Sequence, residues 1–280
     1  VSGPPYWDFL DYKAYAAGEK EYRWDLTPSS FDDYLEKLRQ WYVECFRVLK
    51  KGRFCFVNLG NVSKNGRTYA LPFYAVPLLE KVGYEFKFEF IWHKLSGGKI
   101  RAQNAIQYPY PGYFKPNERT EYILCFQKSP ETPFATDKKG WWTAENKLPI
   151  DSLFKKEIAN NVWHILPSCY PLHGKHPCPF PPEIPHRLIQ FFSLKGETVL
   201  DPFMGIGSTA RAAKLLGRNY IGYELQSEFV KMAEQLINEP LRFRNPTMAE
   251  YGPLKEQPKN KDGKYYPKES EVALRKKRAH

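Results

Sequence analysis

Apolar positions along the chain follow two periods. Over residues 31–50, apolar side chains at 31, 34, 35, 38, 42, 45, 46 and 49 recur at three- and four-residue steps. That spacing predicts a helix with one buried stripe, capped by Ser30 and ended at Gly52. Residues 54–59, apolar except for Asn58, form a run of strand length, as expected of a strand in a parallel sheet. Residues 61–67 are polar and read as a loop, and 71–82 predict a second helix stopped by Gly83. Residues 84–92 and 120–127 alternate with a period of two, which predicts an antiparallel pair. An amphipathic helix over 182–192 and a last one from Ser227 to about 237 complete the pattern.

The densest signal is residues 196–225, G-E-T-V-L-D-P-F-M-G-I-G-S-T-A-R-A-A-K-L-L-G-R-N-Y-I-G-Y-E-L. Val199 and Leu200 give a strand, 201–207 a turn with two glycines, and Ser208 is placed to cap a helix that Gly217 stops. Residues 220–223 give a second strand with Glu224 at its carboxyl end. In a doubly wound sheet the glycine turn, the helix amino terminus and the acid surround one crevice. A carboxylate there can accept from both hydroxyls of a ribose, so the unit predicts a nucleoside-cofactor site. Gly205 to Ala210 also fits G-x-G-x-x-A, with an acid 17 residues after Gly207, so NAD is a competing ligand. A dinucleotide fold continues through several more strand–helix units. Only one good helix follows Glu224, so the remaining strands must come from earlier in the chain.

The amino terminus, V-S-G-P-P-Y-W, is a rigid proline turn carrying flat side chains. It resembles the [Ser/Asp/Asn]-Pro-Pro-aromatic catalytic motif of S-adenosylmethionine-dependent DNA amino-methyltransferases, and D-P-F-M-G-I-G resembles their D-P-F-x-G-x-G cofactor loop. The catalytic turn comes first, a basic variable region follows, and the cofactor loop comes last. This order resembles the β-class of that family over most of residues 1–238. The resemblance implies an α/β, Rossmann-like seven-stranded mixed sheet with helices on both faces, a circularly permuted motif order and a small target-recognition region. It implies catalytic roles for Ser2, Gly3, Pro4, Pro5, Tyr6 and Trp7, with Tyr6 stacked on a flipped base. It places S-adenosylmethionine against Asp201, Pro202, Phe203, Gly205, Gly207, Ser208, Glu224 and His176. Residues 161–165 and 176–181 resemble segments that border that pocket.

One position departs from the family pattern. Gly3 stands where members carry the Ser, Asp or Asn that accepts from the amino group. Either Ser2 substitutes, or backbone and water do, or activity is weakened or lost. Ser2, Trp7 and the His-Pro-rich segment lean toward N4 of cytosine over N6 of adenine. Double-stranded DNA and a cognate restriction endonuclease are the implied partners. The implied location is the cytoplasm, nucleoid-associated, of a prokaryote or phage-infected cell.

Charge and composition extend this picture. A net charge of +11 and a pI near 9.2 favour a polyanionic partner. The long stretch 94–118 carries Lys94, Lys99, Arg101 and Lys115 for phosphates and Gln103 and Asn104 for base edges, with tyrosines following. Five cysteines, an odd number, suit a reduced intracellular protein, and no apolar run or signal peptide directs the chain to a membrane. Cys169, His173, His176 and Cys178 lack a C-x-x-C pair, so no metal is expected. The only Pro-Cys, Pro177-Cys178, lies in the cofactor-pocket segment, which argues against carbon-5 cytosine chemistry. The chain begins at Val1, directly on a motif, so sequence upstream is expected. The domain plan is a catalytic part over 1–93, a recognition region over 94–161 that includes the sheet strand 120–127, a cofactor part over 162–238 and a basic tail over 239–280.

Overall fold

The computed structural model describes residues 1–7, 28–95, 110–112, 114–128, 144–151, 154–167, 181–239 and 241, all within one compact unit, Val1–Asn245. Helix α1, Phe31–Val48, begins where Ser30 accepts from the Asp33 amide, as the capping pattern predicts. Strand β1, Phe54–Leu59, follows. Residues 61–67, expected as a loop, instead belong to a hairpin of β2, Val62–Lys64, and β3, Arg67–Tyr69. Asn65 and Gly66, both at positive φ, form its tight turn, a strong hairpin dipeptide between strands too polar to show a pattern. Helix α2, Leu71–Val82, leads to β4, Tyr84–Lys94, and β5, Thr120–Lys128.

β4 and β5 pair antiparallel, as expected, with an irregularity between Phe86 and Phe88. β1 pairs antiparallel with β5, not within a run of parallel neighbours. The apolar run signals burial on both faces, which does not fix strand direction, so the parallel-sheet expectation is corrected here. Cys55, Val57 and Leu59 join Leu124 and Phe126 under Tyr34, Leu38 and Tyr42 of α1 and Leu71, Ala75 and Leu79 of α2. Phe56, Ile123 and Cys125 face the other way, onto Trp163, Ile165, Ile184 and Leu188. That two-sided burial is the reason β1 contains no exposed alternation.

Strand β6, Val162–Ile165, adds parallel to β4 and closes the order β1-β5-β4-β6. Helix α3, Glu183–Phe192, covers this face. A separate parallel pair, β7 Thr198–Asp201 and β8 Asn219–Gly222, flanks helix α4, Ser208–Leu215, and α5, Ser227–Ile237, follows. The amino-terminal turn links the two sheets. Ser2 makes a parallel bridge to Val57, with Ser2 N donating to Phe56 O and Asn58 N to Ser2 O, both at 2.9 Å. On its other side Val1 N donates to Leu200 O of β7 at 3.0 Å. The hydrogen-bonded sequence therefore runs β8, β7, Val1–Ser2, β1, β5, β4, β6. No described helix is long and apolar enough to cross a membrane, and the described cysteines 45, 55 and 125 are free.

Candidate active site

The carboxyl ends of β7 and β8 carry the glycine turn. Asp201 is buried, and its Oδ1 accepts from the Phe203 amide at 3.0 Å, folding the chain back at Pro202. Tyr223 N donates to Asp201 O and Met204 N to Tyr223 O, which lays the turn across the end of β8. Glu224 then fastens it: Oε2 accepts from Gly205 N at 3.0 Å and Oε1 from Gln226 N at 2.9 Å. Helix α4 is capped by Gly207, not by Ser208 as the sequence pattern suggests. Gly207 has φ 83°, a left-handed conformation that side chains resist, and Ala233 and Ile237 crowd the space a Cβ would take. Ser227 likewise starts α5, whose cap is Gln226.

The amino-terminal turn is held from several sides. Besides its two strand bonds, Ser2 places its hydroxyl 2.7 Å from Tyr42 Oη and 3.3 Å from Phe56 O, buried beneath α1. The Tyr34 hydroxyl donates to Pro5 O at 3.1 Å. Tyr34 and Tyr42 read in sequence only as members of the buried helical stripe; nothing in their spacing marked them as anchors of the turn.

The two turns meet. A cavity of about 1040 Å³ is lined by Val1, Ser2, Gly3 and Pro5 on one side and by Pro202 to Ile206, Ser208 and Glu224 on the other. Trp41 of α1 stands over it, its ring 5.0 Å from that of Phe203 in an edge-on contact. Pro4, Tyr6 and Trp7 are absent from that lining. Trp7 packs in an aromatic cluster with Phe31 and Tyr69, under the Lys64 ammonium. The Tyr6 hydroxyl donates to Glu121 Oε2 at 2.8 Å.

Of the residues assigned to DNA, Lys115 is exposed, whereas the Lys94 ammonium pairs with Glu121 and lies 4.9 Å from the Trp92 ring centroid. Lys94 is thus a neutralised strand-end residue here. Lys99, Arg101, Gln103, Asn104 and His176 lie outside the described residues. Residues 161–165, expected beside the cofactor pocket, do not line the cavity; 162–165 form β6 at the sheet edge. Among the described residues no group of three or more His, Cys, Asp or Glu could hold a metal ion.

The surroundings of the two acids favour the neutral form. Burial raises Asp201 above its ordinary 3.8 and Glu224 above 4.5, opposed at Glu224 by the amides of Gln226 and Gly205. A carboxylate already holding two amides keeps lone pairs for further donors, so Glu224 can clasp the loop and a diol together.

Comparison with known proteins accords with this geometry. Residues 1–235 match a family of DNA methylases that act on N6 or N4. The type II methyltransferase M.MthZI of Methanothermobacter thermautotrophicus is 31% identical over 245 residues, 82% of this chain and 67% of its own length. M.MjaI of Methanocaldococcus jannaschii is 33% identical over 205 residues, and the match spans 69% of this chain and 64% of that relative. A Thermus thermophilus protein assigned as a DNA modification methylase, solved with S-adenosyl-L-methionine, superposes with a TM-score of 0.62 at 25% identity. That match covers 85% of this chain and 83% of the other. The cytosine-N4-specific PvuII DNA methyltransferase shares the fold, with a TM-score of 0.57 at 19% identity over 84% of this chain and 77% of its own. The chain thus belongs to the N6/N4 DNA methylase family.

Proposed function

We propose that the chain moves a methyl group from S-adenosylmethionine to the exocyclic amino group of a base flipped out of double-stranded DNA, N4 of cytosine in preference to N6 of adenine. The observation that carries this reading is the single cavity lined both by Gly3 and Pro5 and by Phe203 to Ile206 with Glu224. When bound, the cofactor supplies an electrophilic methyl on a sulfonium. Glu224 accepts from the two ribose hydroxyls while holding the Gly205 amide, which fixes the glycine turn around the ligand. The turn at Gly3 to Pro5, fastened to β1 and to Tyr34, holds the amino nitrogen in line with that methyl. The reading takes the sheet as the seven-stranded, permuted arrangement of the β-class, with 94–161 as the target-recognition region. A restriction endonuclease cutting the same site is the proposed partner, by analogy with the type II relatives.

One observation favours a second reading, a DNA- and cofactor-binding relative of low turnover. Ser2 Oγ is engaged by Tyr42 and Phe56, and Gly3 offers no side chain, so the amino group must rely on main-chain oxygens. Incubation with S-adenosylmethionine carrying a deuterated methyl, followed by nucleoside mass spectrometry of the DNA, tests both. Labelled N4-methyldeoxycytidine is the expected product. Label on adenine corrects the base; DNA binding without label supports the second reading; and neither binding nor label overturns both.

The raised Glu224 makes cofactor affinity pH-dependent. An acid whose folded value lies above 4.5 takes up its proton at a higher pH than an exposed glutamate. Its burial as an anion therefore costs stability above that value, and this cost is relieved as pH falls through it. The form that accepts from a diol is lost over the same descent. Calorimetry with S-adenosylhomocysteine should show affinity falling on the acid side before the ordinary glutamate range is reached. Glu224→Gln should flatten that acid limb.

A further inference from the structure

Glu121 is the hub of a polar cluster that the reaction as derived above does not use. It lies at the start of β5, and its side chain is 12% exposed. Its Oε2 accepts from Tyr6 Oη at 2.8 Å and from Asn58 Nδ2 at 2.6 Å, and its Oε1 pairs with the Lys94 ammonium at the end of β4. Asn58 Nδ2 also donates to Tyr6 Oη at 3.0 Å, so the phenol is gripped from β1 and β5 at once. Gly60 completes the seat: a Cβ there would lie 3.2 Å from both Tyr6 Cε2 and Glu121 Cγ. Lys94, Asn58 and Glu121 stand at strand ends beside the amino-terminal turn, where a burial-driven fold has no need for a charged hub.

We propose that Glu121 is a positioning residue, holding the Tyr6 ring in the orientation that receives the flipped base. This inference rests on the methyl-transfer reading. The carboxylate takes the phenolic proton of Tyr6 into a charge-assisted hydrogen bond, which fixes the ring plane and keeps the hydroxyl from competing for base edges. Lys94 neutralises the carboxylate, so the seat is built without a net charge facing a polyanion.

The test compares Glu121→Ala, Glu121→Gln, Tyr6→Phe and the double variant Tyr6→Phe/Glu121→Ala, with unmethylated genomic DNA and labelled cofactor. Glu121→Ala should lower kcat about 10- to 100-fold, the scale of a lost hydrogen bond to a charged group, while S-adenosylhomocysteine affinity stays within about threefold. Glu121→Gln, which still accepts from Tyr6, should recover most of the rate. In the Tyr6→Phe background, Glu121→Ala should cost little more, because its route of action is already gone. Multiplicative losses in the double variant, or an equal fall in cofactor affinity, would overturn the inference and leave the methyl-transfer reading intact. Should Glu121→Ala fail to fold, a Glu121→Gln rate as low as that of Tyr6→Phe overturns it as well. A wild-type chain that transfers no label removes the reading and the inference together.

Discussion

Replacing Glu224 by alanine should weaken S-adenosylhomocysteine binding by at least about 100-fold, since hydrogen bonds to a charged acceptor contribute about 1.5–3 kcal/mol each. Two ribose hydroxyls lose their acceptor. Gly205 N and Gln226 N lose theirs as well, so the glycine turn loosens at the point where it must approach the ligand. Glu224→Gln keeps the shape but offers a single carbonyl oxygen, and its affinity should fall between the two. Calorimetry reads all three. Alanine binding within about threefold of the wild type would mean the carboxylate serves the loop alone.

The largest loss of stability should come from Arg187 of α3. Its Nη2 bonds Glu157 Oε1 at 3.1 Å and pairs with Glu183, with side-chain exposures of 3%, 3% and 11% for Arg187, Glu157 and Glu183. The guanidinium also lies 5.2 Å from the Trp163 ring centroid. Burial already pushes Glu183 up, and Arg187 is the force that pulls it down. Arg187→Ala leaves two carboxylates buried without their cation, at a cost of about 3–5 kcal/mol. At roughly 2–4 °C per kcal/mol for a domain of this size, Tm should fall by about 6–20 °C. The deficit should shrink as pH falls, because Glu183, which burial already pushes up, then buries neutral. Leu188, Ile189 and Phe192 on the same helix line the cavity, so cofactor affinity should fall with stability. The triple replacement of Arg187, Glu157 and Glu183 by apolar residues of similar volume should melt above Arg187→Ala. A Tm within about 2 °C of wild type for Arg187→Ala would contradict this account of the helix.

Much of the frame was legible because burial writes a period into the chain. The stripe at 34, 38 and 42 marked α1, and the alternation over 84–92 and 120–127 marked the antiparallel pair. Other features leave no local trace. An apolar run reads the same in a parallel or an antiparallel strand, so the expectation of a parallel sheet missed the antiparallel pairing of β1 with β5. The β2–β3 strands, three residues each, are too short to carry a period, and Asn65-Gly66 is the local signal of the hairpin. Val1–Ser2, the link between two sheets, is too short to carry a period. At the site, the glycine turn and Glu224 were visible through their spacing. Glu121 was not, because its partner Tyr6 is 115 residues away and a glutamate in an alternating strand reads as a solvent face. Distance along the chain likewise hides the tie from Tyr34 to Pro5 and the pairing of Lys94 with Glu121.

The central claim is that both halves of the reaction share one space. Co-crystallisation with S-adenosylmethionine tests it most directly. The account predicts the ribose hydroxyls on Glu224 and the sulfonium methyl between Phe203–Gly205 and Gly3–Pro5, open toward that turn. A cofactor whose methyl points away from the Gly3–Pro5 turn, or that binds outside this cavity, would contradict it.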